Sequence, residues 1–444
     1  MMSAQSIRAW MDDFGVSMAQ FYVDHGRDIL NRFHDVFNVL FYVLLVIATL
    51  ATVIYIVLTI ISLFIKPEKE TSIKLTSKNT PFVTIQIPTY NELAAINCAK
   101  RCLAFDYPKD RYEIIIGDDS NDKAISAKID AFAKKTGVVV TRRGSNTGFK
   151  PGNLNHMLTK SKGEYLLIFD SDYLPEKDFL RRLVQPVLKD QSIACVQARW
   201  KVMNPTQNFT TVLGTSIVET FHHIIIPILS RFSPSVTLCG SAELIKKSDL
   251  IALGGWKHGC LTEDIDFSFR LMTAGKRVVY IPTLTCGSEV PQTAKDLFKQ
   301  QMRWAYGVIR ALIENGSKII GTSISTTFSV VLFASGYLLT SLIFLMFIVG
   351  VLSLLTHPPE PINWALFFSE TFRNILLSSG LLITSFVAAM RARRGFAYVS
   401  KLFVTSFSVG LVLVLFVVKG IYKACTSQPM HWFMLRKNGN TQQI

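Results

Sequence analysis

The sequence predicts an α/β domain built on a parallel sheet and inserted between transmembrane α-helices. Residues 39–65 form a 27-residue stretch without a charge, and further long apolar runs begin after residue 325. Between them lie some 260 residues in which short runs of Val, Ile and Leu alternate with helical stretches. A helix crossing a bilayer needs about 20 apolar residues, and continuous apolar strands belong to parallel sheets covered on both faces. At 49% hydrophobic and 18% charged residues, the chain is too apolar for an ordinary soluble enzyme.

The elements follow in order. Residues 1–38 read as an amphipathic segment, with Trp10, Phe14, Phe21 and Phe33 suited to a membrane surface or a partner. The 39–65 run starts too late and is too long for a signal peptide, so it reads as a retained transmembrane helix. A single domain at 80–310 and an interfacial segment at 311–325 come next. Spans are then expected at 326–355, 373–391 and 400–420, before a tail at 421–444. The net charge is +15, and Lys66, Lys69 and the "RARR" of 391–394 flank the spans. Such clusters favour a cytosolic central domain and an outer N-terminus. Three later spans would leave Lys419, Lys423, Arg436 and Lys437 on the outer face, against the same rule. No basic stripe interleaves with aromatics, so nucleic acid is not an expected partner. The seven cysteines contain no C-x-x-C pair, which leaves no zinc spacing, and free thiols suit a cytosolic domain. The Asn208 sequon is expected to be accidental.

Within the domain, strands are expected at 82–92, 111–122, 137–143 and 163–172, with a helix at 93–104. Ligands of such sheets bind at the carboxyl ends of the strands, and acids stand there. Asp118 and Asp119 follow "EIII", while Asp170 and Asp172 follow "YLLIF" as an Asp-x-Asp. Carboxylates in that step can share a hard divalent cation that neutralises a diphosphate; a loop cap is the simpler reading of either pair alone. "NTGFKPGNLNHML" at 146–158 fits a tight turn opening a helix near Asn153 or Asn155, with Lys150 able to reach a phosphate. Its spacing fails the Walker and dinucleotide fingerprints. In "GCLTEDIDFSF", Thr262 suits a helix cap and Glu263 and Asp264 the first turn, where either acid can serve as a general base or simply complement the helix dipole. "QQMRW" at 300–304 sets Gln300, Arg303 and Trp304 together just before the apolar runs. Trp200 and Trp256 suit the core as well as a sugar face, and His222 and His223 read as structural.

Taken in order, the acid pair, the "GFKPGNLN" lysine, "DSD", "TED" and Gln300, Arg303 and Trp304 resemble the membrane-embedded family 2 glycosyltransferases, the synthases of cellulose, chitin, hyaluronan and mannan. "VQARW", "GGW" and "SEVPQT" are similar to the cellulose synthase-like branch that makes β-mannan and related backbones; "GNLN" and "CGSAELIKK" resemble bacterial cellulose synthase. The resemblance implies a GT-A type, Rossmann-like domain and a multi-pass protein of an inner, plasma or Golgi membrane. It implies that Asp118 or Asp119 holds the nucleotide base and Lys150 the diphosphate, with Asp170 and Asp172 binding nucleotide and Mg²⁺ or Mn²⁺. Asp264, beside Glu263, would be the base, Cys239, Gly240 and Ser241 would face the acceptor, and Gln300, Arg303 and Trp304 would line the acceptor site, Arg303 also assisting the diphosphate. The expected function is an inverting polysaccharide synthase moving sugar from a UDP- or GDP-sugar to a glycan acceptor and across the bilayer. A transferase adding one sugar to a lipid is the alternative. A transporter is disfavoured, because the spans carry almost no ionisable residues. The sequence sets no oligomeric state.

Overall fold

The computed structural model describes residues 4–66, 72–357, 361, 363–430 and 433. Lys69, Arg436 and Lys437, and most of the 421–444 tail beyond Met430, lie outside the described residues. The chain divides into two units, residues 1–56 with 338–382, and residues 57–337 with 383–444.

The larger unit is organised by an eight-stranded sheet in which the strands starting at residues 139, 112, 83, 165, 243, 193, 277 and 174 lie side by side in that order. Four strands meet the sequence expectation: β1 (Val83–Thr89), β2 (Tyr112–Asp118), β3 (Val139–Thr141) and β4 (Tyr165–Ile168) pair in parallel. Every residue of β1 is buried, including Thr84 and Gln86, whose side chains bond Glu113 at 2.6 Å and Ser161 at 2.9 Å. Polar side chains are tolerated there because each has a partner. Ile85, Ile87, Ile116, Leu167 and Phe169 form the centre of the core.

Beyond β4 the sheet is mixed, which the all-parallel expectation missed. The chain enters β7 (Glu243–Lys246) from the turn at 239–241, where Gly240 has φ +82°. That turn delivers Glu243 opposite Ile168 at the carboxyl end of β4, so β7 can only run antiparallel to it. β6 (Ile193–Val202) and β8 (Arg277–Ser288) then pair in parallel, and the two-residue β5 (Leu174–Pro175) closes the edge.

Helices pack on this sheet. Ala94–Leu103 forms where the sequence predicts it. Lys123–Thr136 is capped by Asp122, whose carboxylate accepts from the Ala124 N–H at 2.8 Å, and ends on left-handed Gly137. Asn208 caps the helix Phe209–Thr220 through Thr211 N–H, so the sequon residue serves as a helix start. That helix continues to Phe232 as a run long and apolar enough to cross a membrane, although 78% of its most apolar stretch is buried. The sequence reading did not count it, because its polar Thr, Ser, Glu and His residues interrupt the apolar pattern.

Two other runs have spanning length and composition, Arg8–Phe64 and Ile324–Leu355. The first is helical through residues 4–64, with a π-helical turn at Tyr22–Gly26 and no break near residue 38. In the smaller unit, Leu44, Leu45 and Ala48 pack against Met346 and Val349. The two later expected spans are broken helices: Trp364–Leu377 followed by Gly380–Arg391, and Phe396–Ser406 followed by Val409–Cys425 with a 54° bend. The expected interfacial segment at 311–325 is mostly the second half of one helix, Ala294–Ile320, which is capped by Thr293 and carries "QQMRW" around its third turn.

Candidate active site

The acids sit at the carboxyl ends of the strands. Asp118 ends β2, and its carboxylate accepts from Ser126 at 2.7 Å and Arg142 at 2.9 Å. Burial works to raise this group, but the hydrogen bonds from Ser120, Ser126 and Arg142 outweigh it and hold it below the usual carboxylate range. Asp119 is paired with Arg143, and burial outweighs that partner and raises it. Both arginines stand just after β3, so the expected base-binding acids come as two carboxylate–guanidinium pairs. The Asp118 side chain is fully enclosed and the Asp119 side chain is 2% exposed, so neither offers an open carboxylate edge.

Lys150 is the hub. The helix carrying it starts at Phe149, earlier than the asparagines suggested, with Gly148 at φ +73° as its cap residue. Asn153 is instead inside the helix, donating to the Gly117 carbonyl at 2.8 Å, and Asn155 brackets Trp256 with bonds of 2.7 and 3.0 Å. These bonds fix the helix against β2 and the "GGW" loop. The Lys150 ammonium lies 2.7 Å from Asp170, 2.9 Å from Glu263 and 2.5 Å from the Gly240 carbonyl. Burial opposes its charge, but Asp170 and Glu263 more than compensate and raise it. One cation thus joins "GFKPG", "DSD", "TED" and "CGS", four segments separated by up to 113 positions.

Asp264 is partly buried beside this hub. Burial, then the neighbouring Glu263, push its carboxyl up to about 7, with Lys150 and Arg303 pulling the other way. A carboxylate tuned to that range accepts a proton at physiological pH. Thr262 stands at the cap position, but its side chain makes no capping bond and its hydroxyl is buried against Gly307. The expected Thr262 cap is therefore not formed: the close approach of the Ala294 helix holds that hydroxyl.

Of the expected acceptor triplet, Gly240 lies at the centre: a Cβ on it would stand 3.2 Å from the Asp264 carboxylate and 3.5 Å from the Lys150 ammonium. Cys239 is partly buried, its N–H bonded to Gln197 at 2.9 Å. Ser241 is fully buried, and its hydroxyl accepts from the Asp170 N–H at 2.9 Å. Ser241 thus orients the Asp-x-Asp turn. Trp200 also lies under this turn, donating to the Ser241 carbonyl at 3.1 Å, and Trp256 is buried against Phe267. His222 is buried against Tyr280, whose hydroxyl donates to the His222 carbonyl at 2.9 Å.

Sequence reasoning passed over Glu243. This carboxyl is fully buried on β7, accepts from the Gly240 N–H at 3.0 Å, and is pushed up to about 8 by burial and by Asp264. An acid inside the otherwise apolar "AELI" strand was the available signal.

On the Ala294 helix, Gln300, Arg303 and Trp304 share one face by their i, i+3, i+4 spacing. Arg303 donates to the Leu261 carbonyl at 2.7 Å, two residues before "ED", and its charge reaches Asp264. Gln300 is buried and Trp304 partly buried.

Asp170 and Asp172 are the candidates for a divalent ion. Among the described residues no three His, Cys, Asp or Glu side chains gather as a cage. Asp170 is 36% exposed and turned to Lys150, while Asp172 is buried. Two carboxylates fit the hard cations that take one or two protein ligands and complete their shell with substrate phosphates.

Residues 80–307, just over half the chain, match the family described as Glycosyltransferase like family 2. The chain is 30% identical over 244 residues to Glucomannan 4-beta-mannosyltransferase 2 of Arabidopsis thaliana, covering 53% of this chain and 46% of that one. It is 29% identical over 347 residues to Glucomannan 4-beta-mannosyltransferase 7 of the same plant, covering 71% and 61%. The chain thus spans about half to three fifths of the length of these curated relatives. Among solved structures it is similar to the mannosyltransferase PcManGT from Pyrobaculum calidifontis in complex with GDP-Man and Mn2+, with a TM-score of 0.58 and 16% identity over 90% of this chain and all of that one. That likeness establishes the fold, a mixed GT-A type sheet with helices. With the family matched over the segment that carries the sheet and its ordered acids, the chain belongs to glycosyltransferase family 2, among relatives of the cellulose synthase-like kind.

Proposed function

We propose that this protein is an inverting, membrane-embedded polysaccharide synthase that transfers a sugar, in first choice mannose from GDP-mannose, to the end of a β-linked glycan. The single observation that carries this reading is the Lys150 hub, which draws Asp170, Glu263 and the Gly240 carbonyl around one cation beside Asp264. Its sugar preference rests on the relatives, which are named as glucomannan mannosyltransferases.

In this reading the donor's diphosphate takes over the Lys150 ammonium from the two carboxylates. Asp170 and Asp172 would hold a Mg²⁺ or Mn²⁺ ion, which when bound supplies charge neutralisation for the departing diphosphate. The acceptor hydroxyl attacks the anomeric carbon, its proton passes to Asp264, and the bond to the diphosphate oxygen breaks. One displacement with one base inverts the anomer, giving a β-linkage from an α-linked donor. Arg303, anchored on Leu261, faces the same site and adds positive charge near the leaving group. Trp304 and Gln300 would support the acceptor sugar, and Asp118 and Asp119, with their arginines, would shape the nucleotide end.

The spanning helices support a multi-pass membrane protein whose catalytic domain faces the cytosol. The test is direct. The purified full-length protein receives Mn²⁺ or Mg²⁺ and, separately, GDP-mannose, GDP-glucose, UDP-glucose and UDP-N-acetylglucosamine, and nucleotide release and product length are measured together. Rapid GDP release with a long β-linked product is expected; a single sugar on a lipid would replace the synthase reading by the glycolipid one.

A further inference from the structure

Glu243 is a buried carboxyl that no step above uses. It sits on β7 between β4 and β6, opposite Ile168 and Gln197, with no exposed surface. One oxygen accepts the Gly240 N–H at 3.0 Å, and the other has no hydrogen-bond partner among the described residues. Burying a carboxyl with half its capacity unused is costly, and an apolar residue would fill the same place in a strand more cheaply. The cost is matched by what Gly240 does. Its carbonyl accepts from Lys150 at 2.5 Å, and the space that a Cβ on it would take is bounded by the Asp264 carboxylate at 3.2 Å. Gly240 holds φ +82°, one of several conformations open to a glycine, and the turn is pinned at two successive N–H groups, that of Cys239 by Gln197 and that of Gly240 by Glu243.

We propose that Glu243 is a positioning residue for sugar transfer, whose carboxyl clamps the Gly240 N–H and through Gly240 holds Lys150 and Asp264 in their working arrangement. The inference rests on the reading of Lys150 and Asp264 given above. Near neutral pH the carboxyl is protonated, because burial and Asp264 push it up to about 8. The groups around it are Lys150 on the Phe149 helix, Glu263 and Asp264 on the Glu263–Thr273 helix, Cys195 on β6, and Cys239 in the turn before β7. The working form is thus a neutral acid with an acceptor oxygen, a form that glutamine copies and methionine does not.

The test compares Glu243→Met and Glu243→Gln in the full-length protein, with Mn²⁺ and whichever panel donor the wild type turns over fastest. Methionine fills the volume without a buried polar group of its own, so the fold is retained, as checked by the unfolding temperature. Misplacing reacting groups lowers kcat on the order of 10- to 100-fold. Glu243→Gln should recover most of that loss. Wild-type kcat in Glu243→Met, or a Glu243→Gln protein no faster than Glu243→Met, overturns the proposal. Asp264→Asn, run alongside, reports on the base reading separately: if it transfers sugar at the wild-type rate, that reading falls whatever Glu243 does.

Discussion

Lys150 is one cation set among Asp170, Glu263, Glu243 and Asp264, and the balance of that cluster decides when Asp264 is ready to take a proton. With its carboxyl raised to about 7, Asp264 is protonated in acid and ionised in base. The free-enzyme profile of kcat/KM should therefore climb as pH rises through about 7, in a pH series with the preferred donor. Lys150 lowers the Asp264 value, so Lys150→Ala should move that limb to higher pH. It should also cut kcat/KM by about 100-fold, the scale of losing one charge aimed at a developing anion. A limb that stays in place would separate Lys150 from Asp264. At this scale the acids and the lysine were legible, because each stands at the end of a recognisable apolar strand or turn. Glu243 was marked only by its place in an apolar strand, which says that an acid is buried there and nothing of what it bonds. Ser241 was legible as a neighbour of the site, but only the fold turns its hydroxyl toward the backbone of Asp170.

Elements bring these residues together. The Ala294–Ile320 helix docks on the start of the Glu263–Thr273 helix where Gly307 meets Thr262, so close that a Cβ at position 307 would collide with the Thr262 side chain. In an open helix position Gly→Ala gains roughly 0.5–1 kcal/mol of stability. Here the collision dominates, and forcing a methyl into packed surroundings costs about 1–3 kcal/mol. Gly307→Ala should thus lower thermal stability and, by shifting Arg303 from Leu261, reduce transfer more than it reduces donor binding; the check is an unfolding curve beside kcat and KM. An activity equal to wild type would mean that this docking is not needed. The first four strands could be placed from their apolar runs. The antiparallel entry of β7 could not, because it depends on the turn at Gly240 and on which neighbour is left free. The Phe209–Phe232 helix escaped for the opposite reason: its polar residues mask a span-length run that the domain buries.

At the scale of the whole molecule, the placement of charge bears on the number of spans. Three full crossings after the domain would put the end of the chain outside. Instead, Arg310 of the Ala294–Ile320 helix donates to Ser427 at 3.1 Å, and Lys299 of the same helix stands 5.2 Å from the Phe433 ring, so the end of the Val409–Cys425 helix lies against the catalytic domain. Phe396–Ser406 and Val409–Cys425 meet at a 54° bend, the geometry of a broken span or of a re-entrant pair, and a re-entrant pair would keep Lys419 and Lys423 with Arg391–Arg394 on the cytosolic side. Cys425 is an exposed free thiol and provides the check: a membrane-impermeant maleimide should label it in inside-out vesicles and not in intact cells, with Cys425→Ser as control. Labelling from the outer face would restore the simple three-span count. The account as a whole turns on Asp264 as the group that takes the acceptor's proton. Its most direct test is sugar transfer by Asp264→Asn in the full-length protein, with nucleotide binding measured on the same sample. Transfer reduced by at least about 100-fold, the lower bound for losing a positioned base, with nucleotide binding retained is the predicted result; an undiminished rate would contradict it.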